Sequence, residues 1–88
     1  MTNVTIYTKD YCPYCKRAKA LLDRKGIAYH EIDVTYDEAL QEEMMTRSQR
    51  RTVPQIFVGE RHIGGSDDLQ ALDRSGELDR LFETAAAA

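Results

Sequence analysis

Eighty-eight residues bound the chain to one domain with a modest core. Twelve Lys and Arg against fifteen Asp and Glu leave a net charge of -3, which argues against general nucleic-acid binding, and no window approaches the roughly 18 apolar residues of a membrane span. Two cysteines cannot build a disulfide framework, and "MTNVTIYTKD" lacks a charged region followed by an apolar run, so the expected compartment is the cytoplasm, where paired thiols are usually catalytic or metal-binding.

The first run, "NVTIYT" at 3–8, is β-rich and predicts a strand. Cys12 and Pro13 then begin a helix, since Pro suits the first helical position. Ala18, Leu21, Leu22 and Lys25 follow helical spacing, and Gly26 is the expected stop. "IAYHEIDV" at 27–34 predicts a second strand. Thr35 to Glu38 fits a capping box, with Thr35 at the N-cap and Glu38 three residues on. The helix behind it should place Tyr36, Leu40 and Met44 on one face and fade near Ser48.

"QIFVGERHIG" at 55–64 reads as two short strands around Gly59-Glu60, a two-residue turn with Gly first, as type II′ prefers. Ser66 is expected to cap a third helix, with Asp67 and Asp68 in its first turn, Leu69 and Leu72 facing inward, and Gly76 at its end. Leu78, Leu81 and Phe82 suggest a last short helix. The four alanines at 85–88 would be a tail on a domain spanning 1–84.

The order β-α-β-α-β-β-α predicts an α/β fold with a four-stranded mixed sheet flanked by helices. Strands one and two should be parallel, joined by a right-handed crossover, and the hairpin strands antiparallel. C-x-x-C at the first strand–helix junction of such a pattern is the thioredoxin-like redox signal. Cys12 falls at the predicted N-cap, where open N–H groups and the helix dipole are expected to stabilise a negative sulfur, and Lys9 and Lys16 add charge. Cys15, one turn on, should be more shielded. That asymmetry predicts that Cys12 attacks and Cys15 resolves the mixed disulfide. The competing readings are a pair of inert small residues and half of a zinc site completed by His30 and His62, which are far apart in the chain.

Pro54 directly precedes a strand, and a cis bond at Val53-Pro54 would turn the Val53 backbone outward, able to pair with an extended peptide; an ordinary trans bond is the alternative. Gly64 and Gly65 allow a close approach ahead of a helix start, which is an anion site or simply a capped turn. Arg47, Arg50 and Arg51 form a basic cluster, read as dipole and solvated charge or as steering for anionic substrates. His30 and His62 are expected to be solvated, and Met44 and Met45 to be core and flank.

"YTKDYCPYCKRAKALL", "RTVPQIFVG" and "HIGGSDDL" resemble the glutaredoxins, most of all the small bacterial glutaredoxin 3 type, over nearly all of 3–82. The resemblance implies a thioredoxin fold, a cis-Pro54, and glutathione as cosubstrate and reductant, with no tightly bound cofactor and no resident metal. It implies dithiol reduction of protein disulfides and monothiol removal of glutathione from mixed disulfides, with glutathione and disulfide-bonded or glutathionylated proteins as partners. A monomer is the default expectation, and the charge and hydropathy point to no nucleic-acid or membrane partner. On that pattern Cys12 is the nucleophile and Cys15 the resolving thiol, and Lys9 and Tyr14 flank the tripeptide. Thr52, Val53 and Pro54 form its binding segment, with the Val53 backbone on the cysteinyl part. Gly65, Ser66 and Asp67 hold the γ-glutamyl end, and Gln41 reaches the glycyl carboxylate. Many relatives have Cys where this chain has Ser66, so regulation through a third thiol is not expected. Two alternatives share the fold: a dithiol redoxin recharged by thioredoxin reductase, whose aromatic-rich C-terminal signature is missing here, and a carrier holding an iron–sulfur cluster between two chains with two glutathiones. Relatives of the latter kind carry Cys-Gly-Phe-Ser, against which Pro13 and Cys15 argue.

Overall fold

The computed structural model describes residues 3–81. Alternation along the first strand, β1 (Val4–Thr8), sets the layering. Val4 and Ile6 point to one face, where they are buried with Ala18, Leu21 and Leu22 of helix α1 (Pro13–Arg24) and Leu69 of helix α3 (Ser66–Ser75). Tyr7 points to the other, against Met44 of helix α2 (Glu38–Ser48), Val34 and Phe57. Helices α1 and α3 thus cover one face of the sheet and α2 covers the other.

The sheet is four-stranded and mixed, in the order β2-β1-β3-β4, with β2 at His30–Asp33, β3 at Gln55–Val58 and β4 at Arg61–Gly64. β1 runs parallel to β2, from Thr5 beside His30 to Thr8 beside Asp33, and antiparallel to β3, from Val4 beside Val58 to Tyr7 beside Gln55. β3 and β4 form the expected hairpin, with positive φ at Gly59 alone of the two turn residues. Because β3 starts where β1 ends and β4 returns to the same side, the segments after β1, before β3 and after β4 meet at one end of the sheet.

Several boundaries differ from the sequence reading, each for a hydrogen-bonding reason. The second strand was expected over 27–34 but starts at His30. Ile27 N–H closes α1 by donating to Leu22 O at 2.9 Å, while Gly26 N–H donates to Asp23 O, and both groups are thereby lost to the ladder. Thr35 does not cap α2. Its hydroxyl donates to Asp33 and accepts from Asp10 N–H, and Asp37 caps instead, accepting from Leu40 N–H at 3.0 Å. Tyr36 therefore precedes the helix and is 92% exposed rather than on its inner face. Ser66 is the first helical residue of α3 rather than its cap. The N-cap is Gly65, whose N–H is taken by the Asp68 carboxylate at 2.9 Å. Gly64 holds φ 123°, and a Cβ there would overlap that same carboxylate. Residues 77–81 are helical with Leu78 fully buried; Phe82 and the 85–88 tail lie outside the described residues.

Candidate active site

Cys12 is the N-cap of α1, with extended backbone, and Pro13 follows at the first helical position. Its Sγ accepts the N–H of Cys15 at 3.2 Å, so the sulfur itself fills the capping role that a hydroxyl or carboxylate usually plays. Cys15 lies one turn deeper and is 1% exposed against 7% for Cys12. Burial first, and then the hydrogen bond with Cys12, push the Cys15 thiol up to about 12. The two thiols are both free and chemically unequal.

Facing Cys12 is the turn ahead of β3. The Val53-Pro54 bond is cis, and the Val53 carbonyl lies 3.7 Å from Cys12 Sγ. Tyr14, half-exposed on α1, and Thr52, Val53 and Pro54 form two sides of a cleft of about 290 Å³, which Gly65, Ser66 and Asp67 close from the start of α3. Seven residues singled out from sequence thus share one cleft beside Cys12. Asp67 forms no ion pair among the described residues, whereas Asp68 accepts Gly65 N–H and pairs with Arg50 at 3.0 Å, which hold its carboxyl below the ordinary range.

Lys9 and Gln41 lie apart from that cleft, in a hollow shared with Arg51, Met44 and Met45. The Gln41 amide donates to Val34 O at 2.8 Å, which pins it to the loop before α2. The arginines singled out as one cluster separate. Arg47 stacks over the Phe57 ring at 4.2 Å and donates to the Tyr7 hydroxyl at 2.6 Å, on the face away from the cysteines. Arg50 lines the cleft and Arg51 the hollow. Gln49, in the left-handed region at φ 59°, turns the chain between Arg47 and Arg50.

His62 is not solvated as expected. It is half-buried against Phe57 and hydrogen-bonded to Gln55 at 2.7 Å, and burial followed by the Arg50 cation pushes its imidazole below the ordinary value. His30 is exposed on β2, at the opposite edge of the sheet, and no three His, Cys, Asp or Glu side chains gather as a metal site among the described residues. Gln55 escaped the sequence reading. Its one signal is an amide opening an otherwise apolar strand, "QIFV".

The glutaredoxin family model matches residues 4–63. Glutaredoxin 3 of Escherichia coli strain K12 is 57% identical over 83 residues, covering 94% of this chain and all of that protein. The solution structure of a glutaredoxin from Brucella melitensis superposes with a TM-score of 0.85 at 54% identity, covering 97% of this chain and 92% of its own. A crystal structure of a buckwheat glutaredoxin–glutathione complex superposes with a TM-score of 0.87 at 32% identity, covering 98% and 81%.

Proposed function

Because the chain belongs to the glutaredoxin family and is a thiol–disulfide oxidoreductase of that type, we propose that it uses glutathione as cosubstrate and reductant, with Cys12 as the nucleophile. The observation that carries this reading is the inequality of the two sulfurs: one accepts an N–H at a helix N-terminus, and the other is buried with its thiol held protonated.

In the monothiol reaction the Cys12 thiolate attacks the glutathionyl sulfur of a mixed disulfide. The S–S bond breaks, the released thiolate takes up a proton from solvent, and Cys12 is left joined to glutathione. A second glutathione thiolate attacks that glutathionyl sulfur, returning Cys12 as thiolate and leaving glutathione disulfide. In the dithiol reaction Cys12 attacks a protein disulfide. Cys15 then gives up its proton and attacks Cys12 Sγ, so that the protein leaves as a dithiol and Cys12–Cys15 becomes a disulfide. Two glutathiones restore the pair. A Cys15 held protonated favours the monothiol route whenever glutathione is abundant, because its own attack waits on proton loss.

The cleft suits the tripeptide. The Val53 backbone can pair with the cysteinyl residue beside Cys12, with Thr52 and Pro54 fixing that segment and Tyr14 alongside. The open N–H groups at Ser66 and Asp67, beyond Gly65, suit the γ-glutamyl carboxylate, and the Asp67 carboxylate suits the neighbouring amine. The hollow holding Lys9, Gln41 and Arg51 offers two cations to the glycyl carboxylate. The protein would act as a monomer in the cytoplasm on glutathionylated and disulfide-bonded proteins; no helix among the described residues is long and apolar enough to cross a membrane.

The test is NADPH oxidation in the presence of glutathione, glutathione reductase and a small glutathione mixed disulfide. Turnover is expected there, and little when thioredoxin reductase replaces glutathione and its reductase. The reverse pattern would overturn glutathione as the reductant.

A further inference from the structure

Gln55 is wholly buried and is the first residue of β3, directly after cis-Pro54. A polar side chain at such a place needs partners, since an unpaired buried amide is strongly destabilising. Its Nε2 donates to the Thr52 carbonyl at 2.9 Å and to Thr52 Oγ1 at 3.2 Å. A carbonyl only accepts, so this bond decides which end of the amide is nitrogen. Oε1 is then the atom 2.7 Å from His62 Nε2. Because that oxygen can only accept, His62 must carry its proton on Nε2. His62 is held in place by the Phe57 ring, with centroids 4.9 Å apart. A chain of hydrogen bonds therefore runs from β4, through Gln55, to the main chain of Thr52, one residue before the carbonyl that faces Cys12 Sγ.

We propose that Gln55, oriented by His62, is a positioning residue that fixes the Thr52–Val53 main chain for the disulfide substrate. The proposal rests on the reading of that segment as the substrate-binding one. Neither side chain is placed in contact with the substrate or with the reacting sulfurs. Their contribution is preorganisation: a segment already held in its binding geometry loses less conformational freedom when substrate arrives. Without the amide, the Thr52 carbonyl and hydroxyl lose their donor and the segment samples other orientations, which weakens binding, while the Cys15 N–H that Cys12 Sγ accepts at the start of α1 stays in place.

The experiment compares Gln55→Met, His62→Leu and His62→Gln with the wild type, using glutathione and a small glutathione mixed disulfide. Gln55→Met keeps the length and removes both hydrogen bonds, while His62→Gln keeps a donor near the position of Nε2 and His62→Leu removes it. Expected are a KM for the mixed disulfide raised about fivefold to tenfold in Gln55→Met, a kcat within about twofold of wild type, and an unchanged rate of Cys12 alkylation by iodoacetamide. His62→Leu should raise KM by less, and His62→Gln should restore it. In the wild type, nitrogen-15 NMR should show a protonated His62 Nε2 at neutral pH. An unchanged KM in Gln55→Met, a fall in kcat matched by slower Cys12 alkylation, a failure of His62→Gln to restore what His62→Leu loses, or a bare Nε2 would each overturn the proposal. Should Gln55→Met not fold, the His62 pair and the spectrum decide it. Wild-type turnover separately tests the reading on which the proposal rests.

Discussion

Cys12 and Cys15 are three residues apart, yet burial and one hydrogen bond give them different chemistry. Cys12→Ser is expected to abolish all thiol transfer. Cys15→Ser should keep deglutathionylation, because a second glutathione can resolve the mixed disulfide, and lose dithiol reduction of protein disulfides; turnover of the two substrate types measures both. The pH dependence follows from the Cys15 thiol, which is raised from about 9 to about 12, chiefly by burial. Between those values the unfolded chain has lost a proton that the folded one keeps, so stability falls as pH rises through that window. The fall in melting temperature with pH should be steeper in the wild type than in Cys15→Ser, and parallel curves would remove burial of Cys15 as the cause. At the other side of the cleft, Asp67 and Asp68 are adjacent, and the proposed function gives them different roles, ligand contact for Asp67 and helix capping for Asp68. Asp67→Ala should reduce kcat/KM for a glutathione mixed disulfide about tenfold, which corresponds to about 1.4 kcal/mol, with less loss for a disulfide lacking the γ-glutamyl group. Asp68→Ala, which strips the bond to Gly65 N–H, should instead lower stability, by about 1 kcal/mol in urea unfolding.

At the scale of elements, the ends of α2 show where local signals compete. Asp37 and Thr35 are both good capping residues, but the Thr35 hydroxyl is bound to Asp33 and Asp10, on the strand end and the cysteine loop. Asp37→Ala should therefore cost about 1 kcal/mol, and Thr35→Ala should not shorten the helix. At the other end, Gln49 caps in the left-handed region, where a side chain is disfavoured by about 1–2 kcal/mol. Its own amide recovers part of this by donating to Thr46 O at 2.8 Å. Gln49→Gly should stabilise the protein by up to about 1 kcal/mol, seen as a higher urea midpoint at unchanged slope. A lower midpoint would mean that the Thr46 bond and the added chain entropy outweigh the backbone relief.

The whole molecule holds its site together from regions distant in the chain. The loop after β1, the turn before β3 and the start of α3 converge because β3 is antiparallel to β1 and β4 returns beside it. Two apolar clusters, one on each face, hold that sheet. Leu78, beyond α3, is fully buried in the first cluster, and the turn that carries it is tied back by Lys25, which reaches Asp73 at 2.7 Å and Asp79 at 3.2 Å. These ion pairs lie at the surface, partly open to solvent, and contribute little, so the leucine is the main anchor. Leu78→Ala should cost about 2–4 kcal/mol, a large share of the stability of so small a domain, while the folded fraction keeps its thiol transfer; denaturant titration beside an activity assay separates the two.

By itself the sequence determined the alternation that builds the sheet, the helical spacing of Ala18, Leu21 and Leu22, the hairpin at Gly59, and the placing of two thiols at a helix start. These depend on neighbours within a few positions, where residue type and spacing carry the physics. It also carried the resemblance that named the cleft residues. Tertiary structure decided what depends on partners far along the chain. Thr35 lost its cap to Asp10, Arg47 turned to an aromatic ring on the far face, and His62 found Gln55. A hydroxyl, a guanidinium and an imidazole each have several possible partners, and only the packed sheet determines which of them comes within contact distance.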